Sequence, residues 1–139
     1  MENRPKVGIG VMVIRDRKVL IGKRVSSHGE GEYCFPGGHM EYMESFEECA
    51  RREVREEAGI EIKDVRFLLL DNLKHYAPKH YVDIGMLAEW SEKEPTVCEP
   101  HKVDSWRWHP LSEPLPKPHF ATLQLYLDAY NGGKNFIDL

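Results

Sequence analysis

The chain has 139 residues, 41% hydrophobic and 30% charged, which fits one domain, residues 1–139, with a buried core. No apolar run approaches the roughly 20 residues of a membrane helix, and the opening MENRPKVGIGVMVIRDRKV carries charges where a secretory signal needs an uninterrupted apolar segment. A formal net charge of −4 with no basic block argues against nucleic acid as a partner and against any phosphorylated ligand held without a bridging cation.

Two strands are predicted first, over 7–14 and 18–24, joined by the charged turn Arg15-Asp16-Arg17. Gly8 and Gly10 begin a dinucleotide fingerprint, but Val13 stands at the third glycine position and no helix follows. Close backbone approach within a strand accounts for them better. Residues 26–44 are glycine-rich and read as a long loop around a short strand, 33–35. Ser45 and Glu48 then make a capping box, and Gly59 suits the far end of the same helix. Further strands are expected over 65–73, 80–90 and 104–110, with Trp106 and Trp108 on one face and at least one of them in the core. After the proline-rich 110–118, HFATLQLYLDAYNGG reads as a final helix starting at 119. Strands before, between and after two helices predict an α/β fold with a mixed sheet covered by helices.

The helix from 45 to 58 carries the informative pattern. Projected at roughly 100° per residue, Phe46, Cys49, Ala50 and Val54 share the face expected to pack on the sheet. Glu53 and Glu57 fall about 20° to either side of that face's centre, and Glu56 about 80° away at its edge. Glu48, Arg51 and Arg55 gather opposite, where a solvated face with i,i+4 pairs explains them. It does not explain Glu53 and Glu57, two like charges aligned with a buried stripe. They fit a stripe that runs off the core into a cleft where divalent cations sit. Oxygen ligation of this kind suits Mg²⁺ or Mn²⁺ shared with substrate phosphates.

Other chemistry has less support. The seven histidines include no HExxH pair, so a zinc protease is not indicated. Cys34, Cys49 and Cys98 form no CxxC pair and read as reduced thiols of a cytoplasmic protein. Cys49 lies near the acids, where burial makes a thiol a poor nucleophile.

Gly38, five residues, Glu44, seven residues and then REVREEAGI (52–60) match the Nudix box at every fixed position, and the chain resembles the Nudix hydrolases. The resemblance implies their α/β/α sandwich, with the box as a loop–helix–loop. It implies Glu53, Glu56 and Glu57 as the metal-binding acids, with the Gly38 carbonyl as a further ligand and Mg²⁺ (or Mn²⁺) as cofactor. Arg52 would orient the acids by ion pairing, and Glu44 would brace the loop. Similarity continues through GKR (22–24), FPGGHMEYMESFEECARRE (35–53), HYV (80–82), EP (99–100), SWRW (105–108) and LPKP (115–118). These segments resemble the MutT-like nucleotide triphosphate diphosphatases of small plant and animal type, a homodimeric group.

On that resemblance Arg24 faces the phosphates, Phe35 contacts the base, and Gly37, Gly38, Asp83, Phe120 and Leu123 line the substrate site. Glu53 and Glu99 are the candidate proton acceptors. Three departures stand out. Met43 replaces a glycine common before the box glutamate. Asp83 replaces a small hydroxyl residue in the base pocket, offering an acceptor for an amino group. Ala121 replaces a tryptophan, removing stacking area. The expected reaction is metal-dependent hydrolysis of a (deoxy)nucleoside triphosphate to monophosphate and pyrophosphate. ADP-ribose-like sugars, dinucleoside polyphosphates (Tyr76 sits about where hydrolases of dinucleotides place a tyrosine) and isoprenyl diphosphates stay open as substrates. So does a non-catalytic, ligand-sensing domain.

Overall fold

The computed structural model describes residues 3–26 and 28–139. Strands β1 (Lys6–Arg15) and β2 (Lys18–Arg24) form a hairpin. Its turn residues Asp16 and Arg17 have φ of 48° and 63°, the left-handed pair that suits a two-residue hairpin loop. There follow β3 (Tyr33–Cys34), β4 (Gly37–His39), α1 (Phe46–Ala58), β5 (Glu61–Leu73), β6 (Tyr81–Glu92), β7 (Val103–Pro110), α2 (Leu123–Tyr130) and β8 (Phe136–Ile137). These strands join one mixed sheet in the order β3-β2-β1-β6-β5-β8, with β4 also on β1 and β7 on β2.

One edge of β1 runs parallel to β6 from Lys6–Tyr81 to Ile14–Glu89. Its other edge is divided: Ile14 and Arg15 pair with β2, while Gly8 to Gly10 pair with β4. Side chains alternate across the sheet. Ile9, Val11 and Val13 pack with Cys49, Ala50, Val54 and Ala58 of α1. Met12 and Ile14 pack with Leu123 and Tyr126 of α2 on the other face. The result is an α/β/α sandwich. Trp106 and Trp108 are half-buried against the α1 side.

Three of the differences from the sequence reading have a local cause, while β8 has no counterpart in it and the other strand bounds move by two residues or fewer. The long loop over 26–44 contains β4, whose Gly-Gly-His carries no alternating pattern. β5 starts at Glu61 instead of 65; its register against β6 shifts between Lys63 and Arg66, around Asp64 at φ 54°, and this bulge erases the period of two. α2 starts at Leu123 instead of 119, because Phe120 is tied to β3 through its N–H to Tyr33 O (2.8 Å). Among the described residues no helix is long and apolar enough to cross a membrane.

Met43 sits before the box glutamate with φ 65° and is 83% exposed. A side chain in the left-handed region costs about 1–2 kcal/mol that glycine avoids, part of it offset by glycine's freer unfolded state. Met43→Gly is therefore expected to raise stability by about 0.5–1 kcal/mol in urea unfolding. Unchanged or lowered stability would contradict the strain.

Candidate active site

The box helix is fixed at both ends. Ser45 Oγ accepts from Glu48 N–H (3.0 Å) while Ser45 N–H donates to Glu48 Oε1 (2.8 Å), and Gly59 closes the helix in the left-handed region. Held so, α1 turns Glu53 and Glu57 inward, 6% and 7% exposed. Glu57 Oε1 accepts the Gly37 N–H of β4 at 2.6 Å. Glu53 lies so close to Gly38 that a Cβ there would overlap its carboxylate. Glycine is the residue that lets this strand lie against the acid.

Arg52 ties the acids together. Its Nε and Nη2 donate to the two oxygens of Glu44 at 2.6 and 3.0 Å, a bidentate fork. Nη1 donates to Glu53 (2.7 Å) and Glu56 (3.2 Å), and Nη2 also reaches His39 O at 3.0 Å. The guanidinium holds Glu44 down at about 2. Burial pushes Glu57 up to about 8, with repulsion from Glu53 and Glu99 adding to it against the Gly37 N–H. Glu53 is raised by burial against the pull of Arg52. Burial, then Glu44, drives the Cys49 thiol up to about 12, which removes it as a nucleophile at neutral pH.

The acids form one end of a cavity of about 800 Å³. Arg52, Glu53, Glu56, Glu57, Gly37 and Gly38 line that end, and Phe35, Asp83, Phe120 and Leu123 line the rest. Arg24 is there too, its Nε donating to His28 O (3.0 Å) and its guanidinium 4.9 Å above the Phe120 ring. The His28 ring stacks on Tyr81 (5.8 Å between centroids). Burial first, then Arg24 and Lys79, lower it to about 4, so the ring is neutral at neutral pH. Lys6 and Lys102 add positive charge to the walls.

Glu99 is the one candidate the cavity does not include. It precedes β7, paired with Lys102 at 3.6 Å, and acts on Glu57 only through its charge. Tyr76 is committed to bracing: its hydroxyl donates to Glu32 (2.7 Å) and accepts from Ala121 N–H (2.9 Å), and its ring stacks on Phe120 at 4.6 Å. Sequence reasoning missed Asp71, 1% exposed, which pairs across the sheet with Asp83. It also missed Tyr126, whose hydroxyl donates to Asp83 at 2.9 Å. The trace of Asp71 in the sequence is an acid at the end of the apolar run in VRFLLLDNL, and its pairing with Asp83 comes only with the register of β5 on β6.

Among the described residues no group of three or more His, Cys, Asp or Glu side chains forms a ready-made metal cage. The donors at that end of the cavity are the carboxylates of Glu53, Glu56 and Glu57. Hard oxygen donors of that kind, with room for water and phosphate, fit Mg²⁺ or Mn²⁺ and do not fit a closed zinc site.

A mixed sheet between two helices, with a glycine strand and an acid-bearing helix closing one end of a cleft, defines a domain of the loop–helix–loop type. The chain belongs to the Nudix family, whose NUDIX domain model matches residues 4–129. The MutT NUDIX hydrolase from Burkholderia pseudomallei is 30% identical with a TM-score of 0.85, over 91% of this chain and 98% of that one. The NAD-capped RNA hydrolase NudC of Actinobacillus succinogenes is 30% identical over 122 residues, 84% of this chain and 45% of that protein. Its namesake in Haemophilus influenzae (strain PittGG) is 33% identical over 109 residues, 77% of this chain and 40% of that protein. The chain thus spans less than half the length of these curated relatives. The NUDIX domain of Shewanella oneidensis NrtR, solved with ADP ribose, shares the fold at TM-score 0.75 and 21% identity, over 94% of this chain and 89% of that one.

Proposed function

We propose that the protein is a divalent-metal-dependent pyrophosphohydrolase that cleaves (deoxy)nucleoside triphosphates to nucleoside monophosphate and pyrophosphate. The observation that carries this reading is the pair of buried carboxylates, Glu53 and Glu57, held against Gly37 and Gly38 at one end of the cavity. Glu53, Glu56, Glu57 and the Gly38 carbonyl would hold Mg²⁺, with Mn²⁺ as substitute. When bound, the cation neutralises the polyphosphate and lowers the pKa of a bound water.

Arg52 orients Glu53 and Glu56 and keeps Glu44 ionised beneath them. Arg24 and Lys102 supply positive charge for the phosphates, and positioning together with charge neutralisation carries most of the acceleration. Glu53 lines the cavity and Glu99 does not, which supports Glu53 as the group that takes the water's proton. Phe35, Asp83, Phe120 and Leu123 receive the base. The active unit on this reading is a cytoplasmic homodimer.

A second reading, a diphosphate joining two nucleosides, draws on the names of the NudC relatives. One experiment separates the two. The purified protein is incubated with Mg²⁺ and a panel of ribo- and deoxynucleoside triphosphates, oxidised guanine nucleotides, ADP-ribose, NAD and a dinucleoside polyphosphate. Pyrophosphate release from a triphosphate, abolished by chelation, is the expected result. Two monophosphate products from a dinucleotide, with triphosphates untouched, would establish the second reading instead.

A further inference from the structure

Asp71 of β5 stands directly across from Asp83 of β6, 1% and 9% exposed. Facing carboxylates in a core repel one another and lose hydration, so core packing alone gives no reason for them. Tyr126 Oη donates to both Asp83 oxygens, at 2.9 and 3.1 Å. Its ring lies over Gly10 and Gly85, where any side chain would displace it. Among the described residues no donor reaches either oxygen of Asp71, and the group facing it is Asp83.

Burial, reinforced by the neighbouring Asp83, pushes Asp71 up to about 9. Asp71 therefore keeps its proton at neutral pH and can give it only to Asp83. Burial raises Asp83 as well, against the hydrogen bonds from Asp71 and Tyr126; of the two acids, Asp83 is the one that accepts from Tyr126. Asp83 lines the cavity and Asp71 does not. The cleft therefore meets a fixed hydrogen-bond acceptor, with its proton-bearing partner hidden behind it.

We propose that Asp83 reads the base of the bound nucleotide by accepting a hydrogen bond from an amino group, and that Asp71 is the positioning residue that fixes Asp83 as an acceptor. The inference rests on the nucleotide site proposed above and adds its base class. Cytosine and uracil differ at one position by amino against carbonyl, and guanine differs from hypoxanthine by its 2-amino group. The uracil carbonyl turned toward Asp83 leaves both groups unsatisfied, and the C2–H of hypoxanthine offers the carboxylate no donor. The amino-bearing member of each pair should be preferred by about 10-fold or more in kcat/KM.

The test measures kcat/KM for CTP against UTP and GTP against ITP with Mg²⁺, and calorimetric binding of CMP against UMP without metal. Asp83→Asn, which offers an amide donor, should level or invert the preference. Asp71→Asn still donates to Asp83 and should keep it. Asp71→Leu should lose it, with KM moving more than kcat. Triphosphate turnover without any amino preference in the wild type would overturn the base reading and leave the triphosphatase standing. Preferential CMP binding without triphosphate turnover would do the reverse. An amino preference unchanged in Asp83→Asn would also overturn the inference, and this arm decides even if Asp71→Leu fails to fold.

Discussion

Replacing Glu57 by glutamine is expected to lower metal-dependent turnover by about a thousandfold, equivalent to about 4 kcal/mol of barrier, without unfolding the protein. The glutamine amide oxygen still accepts the Gly37 N–H that Glu57 takes at 2.6 Å. It cannot carry the negative charge a cation needs. In the metal-free protein burial already pushes Glu57 up to about 8, so the side chain is mostly protonated at neutral pH and glutamine is a close mimic. A thermal melt without metal should therefore give Glu57→Gln a Tm equal to or above the wild type, while kcat collapses. Retained turnover would remove Glu57 from the metal site, and a lowered melting point would show that the carboxylate serves the fold.

Asp71→Asn should change how stability depends on pH. An unfolded aspartate titrates near 4, whereas folded Asp71 holds its proton up to about 9. Between those values the folded state binds the extra proton, so its stabilising effect is complete below about pH 4 and is lost as pH rises, by up to about 1.4 kcal/mol per unit. The groups facing Asp71 are Asp83 on β6 and, beyond it, Tyr126 on α2. Asparagine is neutral in both states and removes this slope. Urea unfolding should show the smallest gap near pH 4 and a variant more stable than the wild type by about 2 kcal/mol or more at pH 8. Parallel curves would mean that Asp71 ionises normally.

The box helix was legible because its evidence is local. Ser45, Glu48 and Gly59 mark its ends, and the stripe of Glu53 and Glu57 is visible once residues are projected around its axis. The strand against which the acids rest was not legible, since Gly37 and Gly38 have no side chains to alternate and their pairing depends on Gly8 to Gly10 of another strand. Asp71 escaped because its meaning depends on register. Alone it looks like the polar end of an apolar run, and it becomes half of an acid pair only when β5 meets β6. The start of α2 gave no signal either: Thr122 makes no side-chain cap, and the turn before it is set by contact with β3.

Arg52 has a consequence for assembly. One guanidinium satisfies Glu44, Glu53 and Glu56 from within the helix and its preceding loop, so much of the charge that would otherwise resist burial has a built-in counterion. Many small metal-binding domains, whose ligand clusters lack such a partner, fold only when their metal arrives. On the proposed metal site, folding and metal loading would then be separate events. A chelator should silence it without loosening it.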